Sequence, residues 1–356
     1  NLLDRLNNSD NYSKNKVIKS ILVSIDFQNK IKNPLITIAI PTYKRPFFLK
    51  QAIDSALNQY DPICEYEVIV VDNEAEFSYE TDTEKLLKTY TDSRLIYFKN
   101  EKNLGMFGNI NRCIELARGK WVAFLHDDDL LKSSYINKII KLLNKKPNAG
   151  GIIANYKKLW NNVLPENYEK SKFFTKICNY FIRNKLVKKH AIESVIWNTN
   201  QYKAPSCGTI LNKNIAIAEG GINEDLFPSS DWFFIFKINM KYEVYQSVEY
   251  LGYYRVLINE TLKIETIKKF IVDKFYFREY SKKNYLIGKL VYMLFRYEQH
   301  YLAIYSGLVL DQSKLIKPKD FDYLCKYKMR PIRFFLFTSL REFYKYLKIF
   351  IAIIRG

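Results

Sequence analysis

The sequence predicts an α/β fold, a mostly parallel sheet flanked by helices and followed by a helical C-terminal region. Three observations carry that prediction. Between Leu35 and Leu125 short apolar, β-branched runs alternate with segments of helical periodicity. Each run ends on Pro or on polar residues. From Leu262 onward the chain reads as helix after helix, rich in Tyr, Phe and Lys. With 356 residues it can bury a full core, and 48% hydrophobic against 26% charged residues is a globular composition.

In order, Leu35 to Ile40 is an apolar run closed by Pro41, and Phe47 to Gln59 has amphipathic helical spacing. Tyr66 to Val71 is a second strand, Glu67 aside, closed by Asp72-Asn73; Glu84 to Tyr90 is helical and Leu95 to Phe98 is a short strand. Asn109 to Ala117 forms a helix that Gly119 stops, and Trp121 to Leu125 is a third buried strand. Gly151 to Gly221 is mixed, with an aromatic, basic segment from Tyr156 to Arg183 and a turn-rich one from Ala204 to Gly208. Ile222 to Trp232 is loop-like and Phe233 to Met240 helical. Asn1 to Asn33 is polar around the apolar stretch Val17 to Phe27. The domain reading is a 1–32 extension, a 33–257 α/β domain and a 258–356 basic helical domain.

Charge is unevenly placed. From Val256 onward there are twenty Lys or Arg against nine Asp or Glu, so +11 of the formal +19 lies there. A basic surface attracts nucleic acid, anionic lipid or anionic substrates alike. The five cysteines are widely spaced and lack any CxxC pair, which argues against a disulfide framework or a zinc site and fits a reduced, cytoplasmic setting. No N-terminal secretion pattern is read, and because the first residue is Asn a trimmed start is expected. No apolar run reaches membrane-spanning length. Phe334 to Ile354 carries Arg341, Glu342, Lys345 and Lys348 at helical spacing, which fits either a basic amphipathic helix at a membrane interface or one packed on its own domain.

The strongest chemical signal is His126-Asp127-Asp128-Asp129, directly after a buried strand. Adjacent carboxylates repel, and a cation relieves the repulsion; such oxygens suit magnesium or manganese, with phosphate oxygens completing the shell. The same residues also read as an acidic turn before a helix starting near Ser133 or Ser134. Asp72 can accept hydrogen bonds from a nucleotide base or ribose, or close an ordinary Asp-Asn turn. The combination favours a site. Residues Thr42 to Arg45, Asp72-Asn73 and His126 to Asp129 each follow a separate strand, and in a parallel sheet those ends share one rim.

The segments ITIAIPTYKRPFFLKQAIDSALNQ, EVIVVDN and NLGMFGNINRCIELARGKWVAFLHDDDLL, within residues 33–135, resemble the nucleotide-binding half of family-two glycosyltransferases of the GT-A fold. The resemblance implies that Pro41, Thr42, Tyr43 and Asp72 border the nucleoside, most often uridine, and that the acidic motif holds a divalent metal, manganese or magnesium, and the diphosphate. Asp128 matches the metal-binding second Asp of the Asp-any-Asp motif and Asp127 its variable position, while His126 stands where the first Asp is usual. Ile110 stands where many members have Arg, ahead of the Asn that Asn111 matches. Downstream, PSCGTILNKNIAIAEGGINEDLFPSSDWFFIFKI resembles the acceptor side, with Asp231 at the position of the catalytic base and Ser230 where Glu is common. Arg255 matches a basic position of many members, which implies a diphosphate contact; as residues alone, Arg255 also reads as a solvated or structural Arg, Asp231 as the cap of the helix that follows, and Trp232 as a platform for an acceptor sugar or a core aromatic.

The resemblance therefore implies a donor-binding set of Pro41, Thr42, Tyr43, Arg45, Asp72, Asn111, Asp127 and Arg255. Metal falls to Asp128 and Asp129, the base to Asp231 and the acceptor side to Trp232. The expected activity is inverting transfer of a sugar, hexose or N-acetylhexosamine, from a UDP-sugar to a glycan acceptor, lipid-linked, in capsule or other surface polysaccharide assembly at the cytoplasmic membrane face. Transfer to a protein or a soluble oligosaccharide is the rival acceptor. A nucleic-acid partner is suggested only by the sequence pI of 9.4 and Lys/Tyr interleaving, without any recognisable motif. A nucleotidyltransferase would carry a Gly-rich loop where Pro41-Thr42-Tyr43-Lys44-Arg45 stands.

Overall fold

The structure, a computed structural model, describes residues 33–160, 186–197, 207–226, 228–256 and 263–295, together with 298, 304, 335, 336, 338–340 and 343. The apolar stretch at 17–27, most of the aromatic segment at 156–183, the boundary near 257 and all but a few residues of 334–354 lie outside the described residues.

The first half follows the alternation in the sequence. Strand β1 (Ile36–Thr42) leads to helix α1 (Pro46–Leu57), β2 (Tyr66–Asp72) to α2 (Asp82–Leu87), and β3 (Leu95–Lys99) to α3 (Gly105–Leu116). Then come β4 (Trp121–Phe124), the two-residue β5 (Leu130–Leu131) and α4 (Tyr135–Lys145). The remainder comprises β6 (Gly151–Trp160), β7 (Leu186–Lys189), α5 (Ala191–Trp197), β8 (Thr209–Asn212), α6 (Lys213–Ala218), a 3-10 turn (Glu224–Leu226), α7 (Ser230–Lys241), β9 (Val244–Val256) and α8 (Ile264–Asn284).

Nine strands form one sheet in the order β3-β2-β1-β4-β8-β6-β9-β5, with β7 also on β9. From β3 to β4 all pairs are parallel, and β6 runs parallel to β9. The antiparallel pairs are β4 with β8, β8 with β6, and β9 with both β5 and β7. Alternate strand residues feed two cores. Ile36, Ile38 and Ile40 pack with Leu49 and Ile53 of α1 and Ile136 and Ile139 of α4. Ala39, Ile69, Val71 and Phe124 face Phe107 and Ile110 of α3 and Phe236 of α7 on the other side. Burial on both faces is why these strands read as continuous apolar runs. Glu67, the exception in β2, is fully buried but accepts hydrogen bonds from Thr37 Oγ1 (2.7 Å) and Arg118 Nε (2.6 Å).

From β1 the chain moves to one side through β2 and β3 and returns on the other at β4. Loops after β1 and β4 thus diverge and open a crevice between them, the place where an open α/β sheet binds its ligands.

Helix α3 begins four residues before the Asn109 expected from the pattern. The glycines that look like breakers are needed there: Gly105 has φ +72°, and a Cβ on Gly108 would lie 2.8 Å from the Glu224 carboxylate. Glu224 therefore lies against the first turn of α3, which has no side-chain cap of its own.

Candidate active site

The acidic turn is built by β4 running out at the crevice, and the Asp129 N–H closes it on the His126 carbonyl at 3.1 Å. Two elements from the distant half of the chain clamp it. Strand β5 pairs with β9, Leu130 opposite Tyr253, which brings Arg255 beneath the turn. Arg255 is buried; its N–H donates to Asp129 Oδ1 (3.0 Å), its Nε to the Asp128 carbonyl (2.8 Å) and its Nη2 to Gln51 Oε1 (2.8 Å), and its guanidinium lies 4.9 Å over the Phe48 ring. On the other side the Cys207 thiol donates to Asp129 Oδ2 at 2.9 Å.

The turn is strongly anionic and little of it meets water. Burial, with Asp128 adding repulsion, pushes Asp129 up to about 7 against the attraction of His126 and the bonds from Cys207 and Arg255. Asp127 is raised by burial and by Asp128, opposed by Arg45 and Thr42. Its Oδ2 accepts from Thr42 Oγ1 (2.9 Å), and Arg45 Nη1 spans Asp127 Oδ1 (3.2 Å) and Asp128 Oδ2 (2.9 Å). The loop after β1 is thereby laced to the loop after β4. Tyr43 stays exposed beside it, next to Lys44 at φ +56°.

Asp72 stands at the neighbouring strand tip, in register with Thr42. It is fully buried, with Oδ1 accepting from the Glu74 N–H (2.9 Å) and Oδ2 from the Tyr97 hydroxyl (2.9 Å). Burial pushes it to about 6 despite those bonds. Around it runs an asparagine network: Asn100 donates to the side-chain oxygens of Asn73 (3.1 Å) and Asn109 (2.8 Å), and Asn109 donates to the Val71 carbonyl (3.0 Å). Sequence reasoning passed over Tyr97, Asn100, Asn109, Cys207 and Gln51. The density of Asn between Asn100 and Asn111 was the one local signal available.

Asp231 enters on the first turn of α7. Ser229, two residues earlier, is the N-cap residue, so Asp231 is not the cap that its position also suggested. Its Oδ1 accepts the Trp232 N–H at 2.7 Å, and burial raises it to about 6, opposed by that bond and by the attraction of His126. The attraction of His126 thus opposes the upward push of burial at both Asp129 and Asp231.

Two residues expected to face ligands are occupied with the protein. Trp232 is a correction: it is 4% exposed, with its ring 4.9 Å from Phe277 and edge-on, among Phe233 and Phe236, so it serves the core and not an acceptor sugar. Asn111 exchanges hydrogen bonds in both directions with the backbone of Ile222, each 2.8 Å, and ties α3 to the loop ahead of α7.

A divalent cation fits the turn. His126, Asp128 and Asp129 each offer one ligand atom, all within 4.8 Å of one another, and two of the three are oxygens suited to manganese or magnesium. A crevice at a sheet's switch point, lined with carboxylates and edged by basic side chains, defines a nucleotide-binding α/β protein of GT-A type. Residues 37–196 match the family model of glycosyl transferase family 2.

Known proteins share the sequence in part and the fold more widely. A GalNAc(5)-diNAcBac-PP-undecaprenol beta-1,3-glucosyltransferase of Campylobacter jejuni is 32% identical over 113 residues, 32% of this chain and 35% of that protein. The chain spans about half or less of the length of the curated relatives it matches. The same fold occurs in the S. aureus TarS 1–349 complex with UDP, at TM-score 0.52 and 16% identity over 80% of this chain and 76% of that one. It occurs too in the mannosyltransferase PcManGT of Pyrobaculum calidifontis, in complex with GDP-Man and Mn2+, at TM-score 0.51 and 16% identity over 99% and 93%.

Proposed function

We propose that the protein is an inverting, metal-dependent glycosyltransferase that moves a sugar from a nucleotide-diphosphate donor, UDP-linked in the first instance, onto a glycan acceptor. One observation carries the proposal: hydrogen bonds from Thr42 and Arg45 lace the loop after β1 to the acidic turn Asp127 to Asp129, where His126, Asp128 and Asp129 offer ligand atoms within 4.8 Å of one another. A nucleotide-diphosphate donor needs such a cation-binding rim.

In this reading Thr42 and Arg45 hold Asp127 and the crevice rim, and Arg45, whose side chain is 40% exposed, can turn its remaining donors toward a diphosphate. A metal at Asp128 and Asp129 supplies Lewis-acid stabilisation of the departing diphosphate when bound. Asp231 accepts the proton of the acceptor hydroxyl as the new bond to the anomeric carbon forms and the bond to the diphosphate oxygen breaks. Attack opposite the leaving group inverts the anomeric centre. Arg255, bound to the underside of the turn, positions the acidic residues; its N–H and Nε are engaged there and its Nη2 on Gln51.

A lipid-linked acceptor at a membrane face is the finer reading, supported by the C. jejuni relative and by an outward apolar surface. Among the described residues Leu286, Leu290, Met293 and Leu294 recur at helical spacing and are exposed, and Phe335, Leu336, Leu340 and Phe343 are exposed too. No helix among the described residues is long and apolar enough to cross a membrane.

The test is turnover of a panel of UDP- and GDP-sugars with manganese, with and without lipid-linked acceptor, followed by liposome binding of the full chain and of a chain lacking 331–356. Turnover of one donor and loss of liposome binding on truncation are expected. No turnover with any donor overturns the enzymatic reading, and unchanged liposome binding overturns the membrane reading.

A further inference from the structure

We propose that His126 is a nitrogen ligand of the divalent-cation site, which biases that site toward ions that accept imidazole, such as manganese or cobalt, over magnesium and calcium. The inference rests on the metal-dependent reading above and adds what an imidazole does there. The local backbone favours it: the bond between the Asp129 N–H and the His126 carbonyl makes these two residues the ends of one tight turn. The ligand atoms of His126, Asp128 and Asp129 already lie within 4.8 Å of one another. An ion with bonds of about 2.1 Å holds cis ligands roughly 3.0 Å and trans ligands roughly 4.2 Å apart, so side-chain rotations that close the group by about 1–2 Å would seat it.

The two carboxylates are prepared unequally. Asp129 is fully buried, its oxygens each taking one hydrogen bond, from the Cys207 thiol and the Arg255 N–H. Each oxygen keeps a second lone pair. Asp128 is more open, with 15% of its side chain exposed, and one of its oxygens is engaged by Arg45. Neither supplies nitrogen; His126 alone in the group does.

Hard magnesium and calcium take oxygen ligands, whereas imidazole suits the borderline transition ions. The experiment uses the full chain and the metal ion alone. Pulsed paramagnetic resonance of bound Mn2+ is expected to show coupling to one imidazole nitrogen, absent in His126→Ala and His126→Asp. In competition titrations the preference for Mn2+ over Mg2+ should drop about 10-fold or more in His126→Asp, while that variant keeps its Mg2+ affinity and its thermal midpoint. A wild-type signal without nitrogen coupling, or an unchanged Mn2+/Mg2+ ratio in a folded His126→Asp protein, overturns the proposal. Because these readouts need no sugar donor, they are independent of the enzymatic reading: nitrogen coupling with no turnover sinks that reading alone, and turnover with no coupling sinks this one alone.

Discussion

The two sides of the crevice that we read as donor rim and acceptor side are built in opposite ways. On the donor rim the polar groups are tied down: Asp72 by Tyr97 and Glu74, Asp127 by Thr42 and Arg45, Asp129 by Cys207 and Arg255. On the acceptor side Asp231 has one described hydrogen bond, from the next residue of its own helix, and what surrounds that helix is an aromatic cluster. A donor's nucleotide and diphosphate need groups fixed before binding, because reorganising them would weaken the site. A base must keep a free lone pair for the incoming hydroxyl. Rigidity is therefore concentrated on the donor rim and openness at the base.

Substitutions should reveal that asymmetry. The largest effect is expected for Asp128→Ala, with no detectable turnover and loss of Mn2+ binding by titration; retained metal binding would dissolve the donor-rim assignment. Next, Asp231→Asn should lower transfer by about 10²- to 10⁴-fold while leaving the donor dissociation constant unchanged. An equal loss of donor affinity would erase the contrast. The wild-type transfer rate should rise with pH through about 6, where burial has placed the Asp231 carboxyl, since the base works deprotonated. A rate flat from pH 5 to 7 contradicts this. Tyr97→Phe leaves a buried Asp72 oxygen without its hydroxyl partner and should cost roughly 1–3 kcal/mol of unfolding free energy in denaturant titration.

The smallest effect concerns Asp273 of α8, buried, accepting from the N-cap residue Ser229 at 2.6 Å and pushed by burial to about 7. A carboxyl raised on folding contributes stability that is fully present below its unfolded value near 3.8 and is lost as pH rises through 7. Asp273→Asn should therefore match the wild type at low pH and melt about 2–4 °C higher at pH 8. Parallel melting curves across that range would show the group to be uncoupled from folding.

The same asymmetry governed how much the sequence disclosed. Strands β1 to β4 are buried on both faces, so they stand out as apolar runs, and the residues just past them mark the rim. Strand β9 is different. Its thirteen residues pair with β5, β6 and β7, its facing strand shifts register between Ile153 and Tyr156, and its burial does not alternate. No simple period marks such a strand. The bonds that complete the site join residues 78, 127 and 204 positions apart, Cys207 to Asp129, Arg255 to Asp128 and Arg255 to Gln51. Nothing local in the chain announces them. Trp232 misled for a related reason: a large aromatic beside a candidate base looks the same in sequence whether it faces a ligand or Phe277.

The seam between β5 and β9 bears on how such proteins can be recombined. Leu130 pairs with Tyr253, and Arg255 grips the backbone of Asp128 and reaches Gln51, so the far half of the chain acts as a keystone for the near half. A chimera that grafts a foreign acceptor module after residue 200 would have to bring its own Arg and thiol at the positions of 255 and 207. Without them the transplanted catalyst would inherit a slack aspartate loop, whatever specificity the graft was meant to confer.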